Sequence, residues 1–211
     1  MTGPGMRERL LGDYLDAVAS GAPTPGGGSV AGVVAALGGA LGEMVVRLSE
    51  GKRAAADAMP QLEAARRSLA EAAAAALAHG EADERVYGRY RDAAALPKAT
   101  DEEKAARARA IEAALVAATE TPLALCATCL DLLSALETVA LHGTVHALSD
   151  VRLGAYLAES AARGALLNVR GNAAMMKDRE AAERFLAAAA RVEDQTRERA
   201  AAVEAAALAR G

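Results

Sequence analysis

With 211 residues, 53% hydrophobic and 25% charged, the chain is long and apolar enough to bury a core as one domain spanning 1–211, and its composition excludes intrinsic disorder. A net charge of −4, 2% aromatics and no run of lysine or arginine leave neither the cationic footprint nor the stacking surface of a nucleic-acid binder. The longest apolar run, Val30 to Met44, is broken at Glu43 and falls short of the ~20 residues of a membrane span. Met1 to Arg9 lacks the regions of a signal peptide, and two cysteines are too few for a disulfide scaffold. The expectation is a cytoplasmic protein with no membrane or nucleic-acid partner.

Alanine, leucine, glutamate and arginine dominate and β-branched residues are sparse, so the chain reads as all-α: an antiparallel bundle of about seven helices, several of them long. The segments fall near 6–20, 29–51, 57–95, 101–119, 122–142, 151–170 and 173–209. Between the first two lies Ala22-Pro23-Thr24-Pro25-Gly26-Gly27-Gly28-Ser29, in which prolines stiffen the approach, glycines permit unusual backbone angles and Ser29 caps the next helix. After Leu96-Pro97 stops the third segment, Thr100 and Glu103 form a capping box, and Ala108, Ile111, Leu115 and Ala118 make one half-buried stripe. Thr121-Pro122 reads as an N-cap followed by a first-turn proline. The helix beyond is apolar almost all round, hence central, with a narrow polar stripe of Thr128, Asp131, Ser134 and Thr138. Ser149-Asp150 offers caps for a helix carrying Gly154, Ala158, Ala161 and Ala165, small residues that let helix axes approach closely. Phe185, Ala189, Val192, Thr196 and Val203 give the last helix a near-heptad seam.

The glycine loop is the most unusual stretch. Successive N–H groups there, with a helix N-terminus behind them, suit an anion or a carbonyl oxygen, and a simple packing turn is an equally good reading. No strand precedes it, which argues against a dinucleotide fingerprint, and no Gly-Lys-Ser/Thr follows, which excludes a P-loop. Cys126-X-X-Cys129 lies in an apolar helix without a second pair, and His142 with His146 lacks a third ligand, so neither reads as a metal site. Among the carboxylates, Asp83, Asp131 and Asp150 stand out as candidates for acid–base work if partly desolvated.

Pro23-Thr24-Pro25-Gly26-Gly27-Gly28-Ser29, Gly51-Lys52, Asp83, Leu96-Pro97-Lys98, Thr121-Pro122-Leu123, Ser149-Asp150 and Gly164-Ala165-Leu166-Leu167-Asn168-Val169, in this order from about residue 8 to Asp178, resemble the cyclodeaminase family. That family includes the C-terminal domain of formiminotransferase-cyclodeaminase and free-standing bacterial methenyltetrahydrofolate cyclohydrolases. The sequence differs from many members at Gly88, Ala94-Ala95 and Gly143-Thr144. The resemblance implies a helical homodimer acting on a tetrahydrofolate one-carbon unit, with no metal and no cofactor beyond that substrate. It implies Asp83 and Asp150 as the catalytic carboxylates. Pro25, Gly26, Gly27, Gly28, Ser29 and Ser149 would contact substrate, Lys52 or Lys98 would pair with the glutamate tail, and Asn168 would bond the pterin. The reaction implied first is formimidoyltetrahydrofolate cyclodeamination. The alternatives are methenyltetrahydrofolate cyclohydrolysis, a non-catalytic folate-binding helical dimer, and a structural dimer whose glycine loop only packs helices.

Overall fold

A computed structural model of the protein describes residues 5–211; Met1 to Pro4, the start of the Met1–Arg9 stretch, lie outside the described residues. Among the described residues there are six α-helices and no strand: α1 (Leu11–Ala19), α2 (Gly27–Ser49), α3 (Met59–Ala94), α4 (Asp101–His142), α5 (Leu148–Met175) and α6 (Arg179–Leu208). Short 3₁₀ turns stand at Met6–Glu8, Arg53–Ala58 and Val145–Ala147.

Helices α2 to α6 run up and down in one bundle. The N-terminal end of α2 meets the C-terminal halves of α3 and α5, while Ser49 at its other end accepts a hydrogen bond from the Thr144 N–H (2.8 Å) just before α5 begins. Close approach follows from missing side chains. A Cβ on Gly32 would lie 2.5 Å from the Ala76 carbonyl oxygen of α3, and one on Gly38 would lie 2.7 Å from the Gly154 carbonyl oxygen of α5. The small-residue register of α5 is therefore a backbone-to-backbone crossing with α2. Leu62, Leu69, Leu132, Leu133, Leu136, Val45, Val46, Val151 and Leu166 fill the interior between these helices. Thr196 and Val203 of the α6 seam are buried, and Arg152–Glu204 and Arg170–Glu193 pairs join α5 to α6.

Helices α2 and α4 have the length and hydropathy of membrane spans, but 50% and 56% of their most apolar windows are buried inside the bundle, as in core helices.

Three local expectations are corrected. The two segments 101–119 and 122–142 are one helix, so six helices replace seven. Thr121 is not a cap: its hydroxyl donates to the Ala117 carbonyl within the helix (3.1 Å). Pro122 lacks the N–H that would bond the Ala118 carbonyl, and Asn172 Nδ2 of α5 donates to that carbonyl instead (2.7 Å). Ser149 and Asp150 stand inside the first turn of α5, which begins at Leu148 after Ala147, rather than at its cap. Ser29 does not cap α2 either; the cap is Gly26, and Ser29 is fully buried at the third helical position. The Thr100–Glu103 box is present as read, with Glu103 N–H on Thr100 Oγ1 and Thr100 N–H on Glu103 Oε2, both 3.2 Å.

Candidate active site

The glycine loop, α3, α4 and α5 enclose a cavity of about 220 Å³. Pro23, Thr24, Gly26, Gly27 and Gly28 form one wall; Asp83, Tyr87 and Tyr90 line it from α3, Leu115 and Ala118 from α4, and Asn168, Asn172 and Met175 from α5. Spacing explains the convergence. Asp83, Tyr87 and Tyr90 share one face of α3, as do Asn168, Asn172 and Met175 on α5. Leu115 and Ala118 are the second half of the stripe that begins at Ala108.

Asp83 is the one carboxylate lining this cavity among the described residues. It is half-buried, and desolvation is the main cause that raises its pKa, helped by the negative charge of Glu84; the Ser29 backbone N–H, bonded to the carboxylate, pulls the other way. Asp83 thus takes up an orphan N–H at the start of α2, an end that no side chain of α2 itself caps. Gly28 is required by this contact: a Cβ there would fall inside the Asp83 carboxylate. Glycine is used here for its missing side chain rather than for a left-handed backbone, since Gly51 has the positive φ among the described glycines (+70°) and Gly26 to Gly28 do not. Pro25, joined to Thr24 by a cis peptide bond, is buried behind this wall.

Behind the carboxylate runs a polar chain. Tyr14 OH and Ser29 Oγ are 3.0 Å apart, Ser29 Oγ donates to Glu84 Oε1 (3.0 Å), and Arg9 grips both Glu84 oxygens at 3.1 Å. This chain ties α1 and the segment before it to α2 and α3, and it neutralises Glu84, the acid nearest in sequence to Asp83. Burial raises the Tyr14 pKa above its ordinary value.

The structure brings Asp83, Gly26, Gly27, Gly28 and Asn168 together, with Pro25 and Ser29 supporting the wall from behind. It places Lys98 in a neighbouring basic cavity. Lys52, Ser149 and Asp150 lie at the other end of the bundle, since the 23 residues of α2 rise about 34 Å between the glycine loop and Ser49. Asn172, Tyr87, Tyr90 and Met175 were not expected, although Asn172 four residues after Asn168, and Tyr87 and Tyr90 four and seven after Asp83, are helical spacings readable in the sequence.

A wider groove of about 740 Å³ opens between α3 and α4, lined by the polar stripe Thr128, Asp131, Ser134 and Thr138 opposite alanines and Ser68. Asp131 and Ser134 are exposed there, which makes the stripe a solvated face. Cys126 and Cys129 are buried and unpaired; desolvation pushes the Cys126 thiol up to about 12 and the Cys129 thiol higher still, so neither is a nucleophile at neutral pH. Among the described residues no group of three His, Cys, Asp or Glu side chains is placed to hold a metal ion.

The chain is similar to several known proteins. The chain is 41% identical over 180 residues to a methenyltetrahydrofolate cyclohydrolase of Methylorubrum extorquens, covering 82% of this chain and 83% of that protein. It is 38% identical over 172 residues to the formimidoyltransferase-cyclodeaminase of Gallus gallus, covering 80% of this chain but 31% of that longer protein. The fold matches a crystal structure of formiminotetrahydrofolate cyclodeaminase from Thermotoga maritima with a TM-score of 0.85 at 26% identity, covering 95% of this chain and 96% of that one. Residues 10–191 match the sequence profile described as formiminotransferase-cyclodeaminase. The chain therefore belongs to the formiminotransferase-cyclodeaminase family, a family of folate one-carbon enzymes.

Proposed function

We propose that the protein is a formimidoyltetrahydrofolate cyclodeaminase in which Asp83 is the catalytic carboxylate. One observation carries the reading: a desolvated carboxylate faces the same cavity as the glycine loop and Asn168. In cyclodeamination the second folate nitrogen attacks the formimino carbon, a tetrahedral carbon forms between the nitrogens, and ammonia leaves as the methenyl bridge closes. The departing nitrogen must gain a proton, and the methenyl product carries an amidinium-like positive charge. A carboxylate with a raised pKa serves both needs in a site of low dielectric. Asn168 and Asn172 offer amide donors and acceptors to the pterin, with Asn172 already committed in part to Ala118.

Cyclohydrolysis is the second reading, favoured by the 41% identity to a cyclohydrolase over most of both proteins. It runs through the same kind of tetrahedral carbon, with water adding to the methenyl bridge and one carbon–nitrogen bond opening to leave a formyl group. Incubation with each folate decides: methenyl absorbance grows in the first reaction and decays in the second. Asp83→Asn lowers turnover at least ~10²-fold, the range in which general acid–base groups contribute. Undiminished turnover in that variant removes Asp83 from the mechanism. Folate-induced thermal stabilisation without turnover by the unaltered protein indicates a binding protein instead.

The proposed assembly is a cytoplasmic homodimer needing no cofactor beyond its substrate. Leu37, Met44 and Leu48 of α2 and Leu153 and Leu167 of α5 are exposed, apolar surface suited to a second copy. A two-fold axis across the middle of α2 would set the Lys52, Ser149 and Asp150 end of one copy beside the glycine loop of the other. Light scattering tests the dimer. Mixing Asp83→Asn with Asp150→Asn protomers tests the shared site: two inactive variants regain about a quarter of native activity if each site uses both copies, whereas Asp150→Asn is active on its own if Asp150 lies outside the site.

A further inference from the structure

A proline inside a helix leaves the carbonyl four residues before it without a donor. In α4 that carbonyl belongs to Ala118, a residue that lines the candidate active site. Pro122 itself is buried, does not line the cavity, and stands near the middle of the 42 residues of a helix that runs on through it. The hydroxyls nearest the gap are spent on other carbonyls of the same helix. Thr119 Oγ1 donates to the Leu115 oxygen (2.7 Å) and Thr121 Oγ1 to the Ala117 oxygen (3.1 Å). The donor for Ala118 comes instead from α5, as Asn172 Nδ2 at 2.7 Å.

This bond decides which way the Asn172 amide faces. A carbonyl oxygen accepts only from the NH₂ end, and the reversed amide would set Oδ1 against the Ala118 oxygen, two acceptors at hydrogen-bond distance with no proton between them. Oδ1 is therefore turned away from α4. It accepts no hydrogen bond from the described residues, and Asn172 is half-buried where it lines the cavity. Asn168, one turn earlier on the same face of α5, has no such tether among the described residues and can present either end of its amide. The cavity thus holds one amide of free orientation and one of fixed orientation.

We propose that Pro122 is a positioning residue for substrate: by denying Ala118 its helical donor, it locks Asn172 with Oδ1 toward the cavity as a fixed acceptor for an N–H on the pteridine edge of the folate. The inference rests on the folate reading above and adds to it a direction for the amide and a role for a residue outside the cavity wall. A locked acceptor spares the substrate the cost of ordering that side chain, so it lowers KM and leaves kcat alone. It also rejects a ring that offers an acceptor at that edge, because two acceptors would then face each other out of reach of water.

The test measures KM and kcat for the methenyl or formimino substrate in Pro122→Ala, and in Asn172→Ala and Asn172→Asp with and without Pro122→Ala, at about pH 8, where an aspartate is ionised. Alanine favours helix, so Pro122→Ala keeps α4 while giving the Ala118 carbonyl a helical N–H and freeing the amide to turn. KM rises about three- to tenfold, the cost of ordering one side chain, and kcat holds. Asn172→Ala raises KM about tenfold, and adding Pro122→Ala then changes nothing further. In the Asn172→Asp background the sign reverses. The carboxylate has no proton for the orphan carbonyl; Pro122→Ala supplies one from the backbone and lowers KM, because the other carboxylate oxygen still accepts the ligand N–H. An unchanged KM in Pro122→Ala, or losses that multiply in the Asn172→Ala background, overturns the positioning role. No recovery in the Asn172→Asp background overturns the fixed acceptor. Either failure leaves the folate reading standing as long as the native protein turns folate over. If it turns none over, the side-chain amide NMR signals of Asn172 decide the lock alone: slow exchange of one Nδ2 proton in the native protein and fast exchange in Pro122→Ala supports it, and fast exchange in both rejects it.

Discussion

The hydrogen bond from Asn172 to the Ala118 carbonyl can be isolated by a double-mutant cycle. That carbonyl lacks its helical partner only because residue 122 is proline, and the 2.7 Å bond from Asn172 Nδ2 replaces it. Truncating Asn172 to alanine leaves a part-buried carbonyl unsatisfied, a loss of about 1–3 kcal/mol. The site is only half-buried, which favours the lower end, about 1 kcal/mol, or ~2–4 °C in Tm for a protein of this size. Pro122→Ala restores an N–H four residues after Ala118, inside a helix that is already continuous. In that background Asn172→Ala should cost less than ~0.5 kcal/mol, so the cycle yields a coupling of the order of 0.5–1 kcal/mol. Chemical denaturation of the four proteins at one pH measures it. Equal destabilisation by Asn172→Ala with and without Pro122 refutes the reasoning, because the carbonyl's need for a donor would then not depend on the proline.

Three further predictions concern Asp83. Gly28→Ala adds a Cβ where the Asp83 carboxylate sits, so turnover falls on the order of 10²-fold through displacement of that group, while circular dichroism shows full helix content because alanine favours helix. Retained turnover would show that the carboxylate's position is immaterial. Arg9→Gln and Glu84→Gln act in opposite directions on the pH profile. Without Arg9 the charge on Glu84 is unneutralised and raises the Asp83 pKa further; without the Glu84 charge that pKa falls. The charged and titratable groups around Asp83 include Glu84, Tyr87 and Tyr90 on α3, with Arg9 and Tyr14 on the N-terminal side. The limb of the kcat profile governed by Asp83 should move up in the first variant and down in the second; movement in the same direction in both would refute the assignment. The raised pKa also has a stability consequence. Folded Asp83 holds its proton to higher pH than the unfolded chain does, so stability falls as pH rises from the ordinary value of 3.8 through the raised one, and Asp83→Asn removes that fall.

Much of the bundle was legible because its signals are local. Alanine-rich helices, the Thr100–Glu103 box and the Gly154 register each need only a few neighbouring residues to be read. Thr121-Pro122 misled for the same reason: in sequence it is indistinguishable from a cap and a first-turn proline, and the donor that serves the Ala118 carbonyl, Asn172, lies fifty residues on. Ser29 looked like a cap because its type fits one, but its hydroxyl is claimed by Tyr14 and Glu84, and the helix end is served by Asp83 from another helix. The cavity was half legible. The glycine loop and Asp83 stood out from their residue types and Asn168 came from the family pattern, whereas Tyr87, Tyr90 and Asn172 required knowing which face of α3 and α5 turns inward.

The meeting of Gly38 with Gly154 constrains how this protein can change its ligand. Where two rods touch main chain to main chain, no rotamer can adjust to let them part, so the α2 and α5 sides of the chamber act as a fixed mould. Adaptation to a new pteridine is thereby steered toward the flanking proline–glycine segment and toward Tyr87, Leu115 and Met175, whose replacement reshapes the chamber without moving its frame.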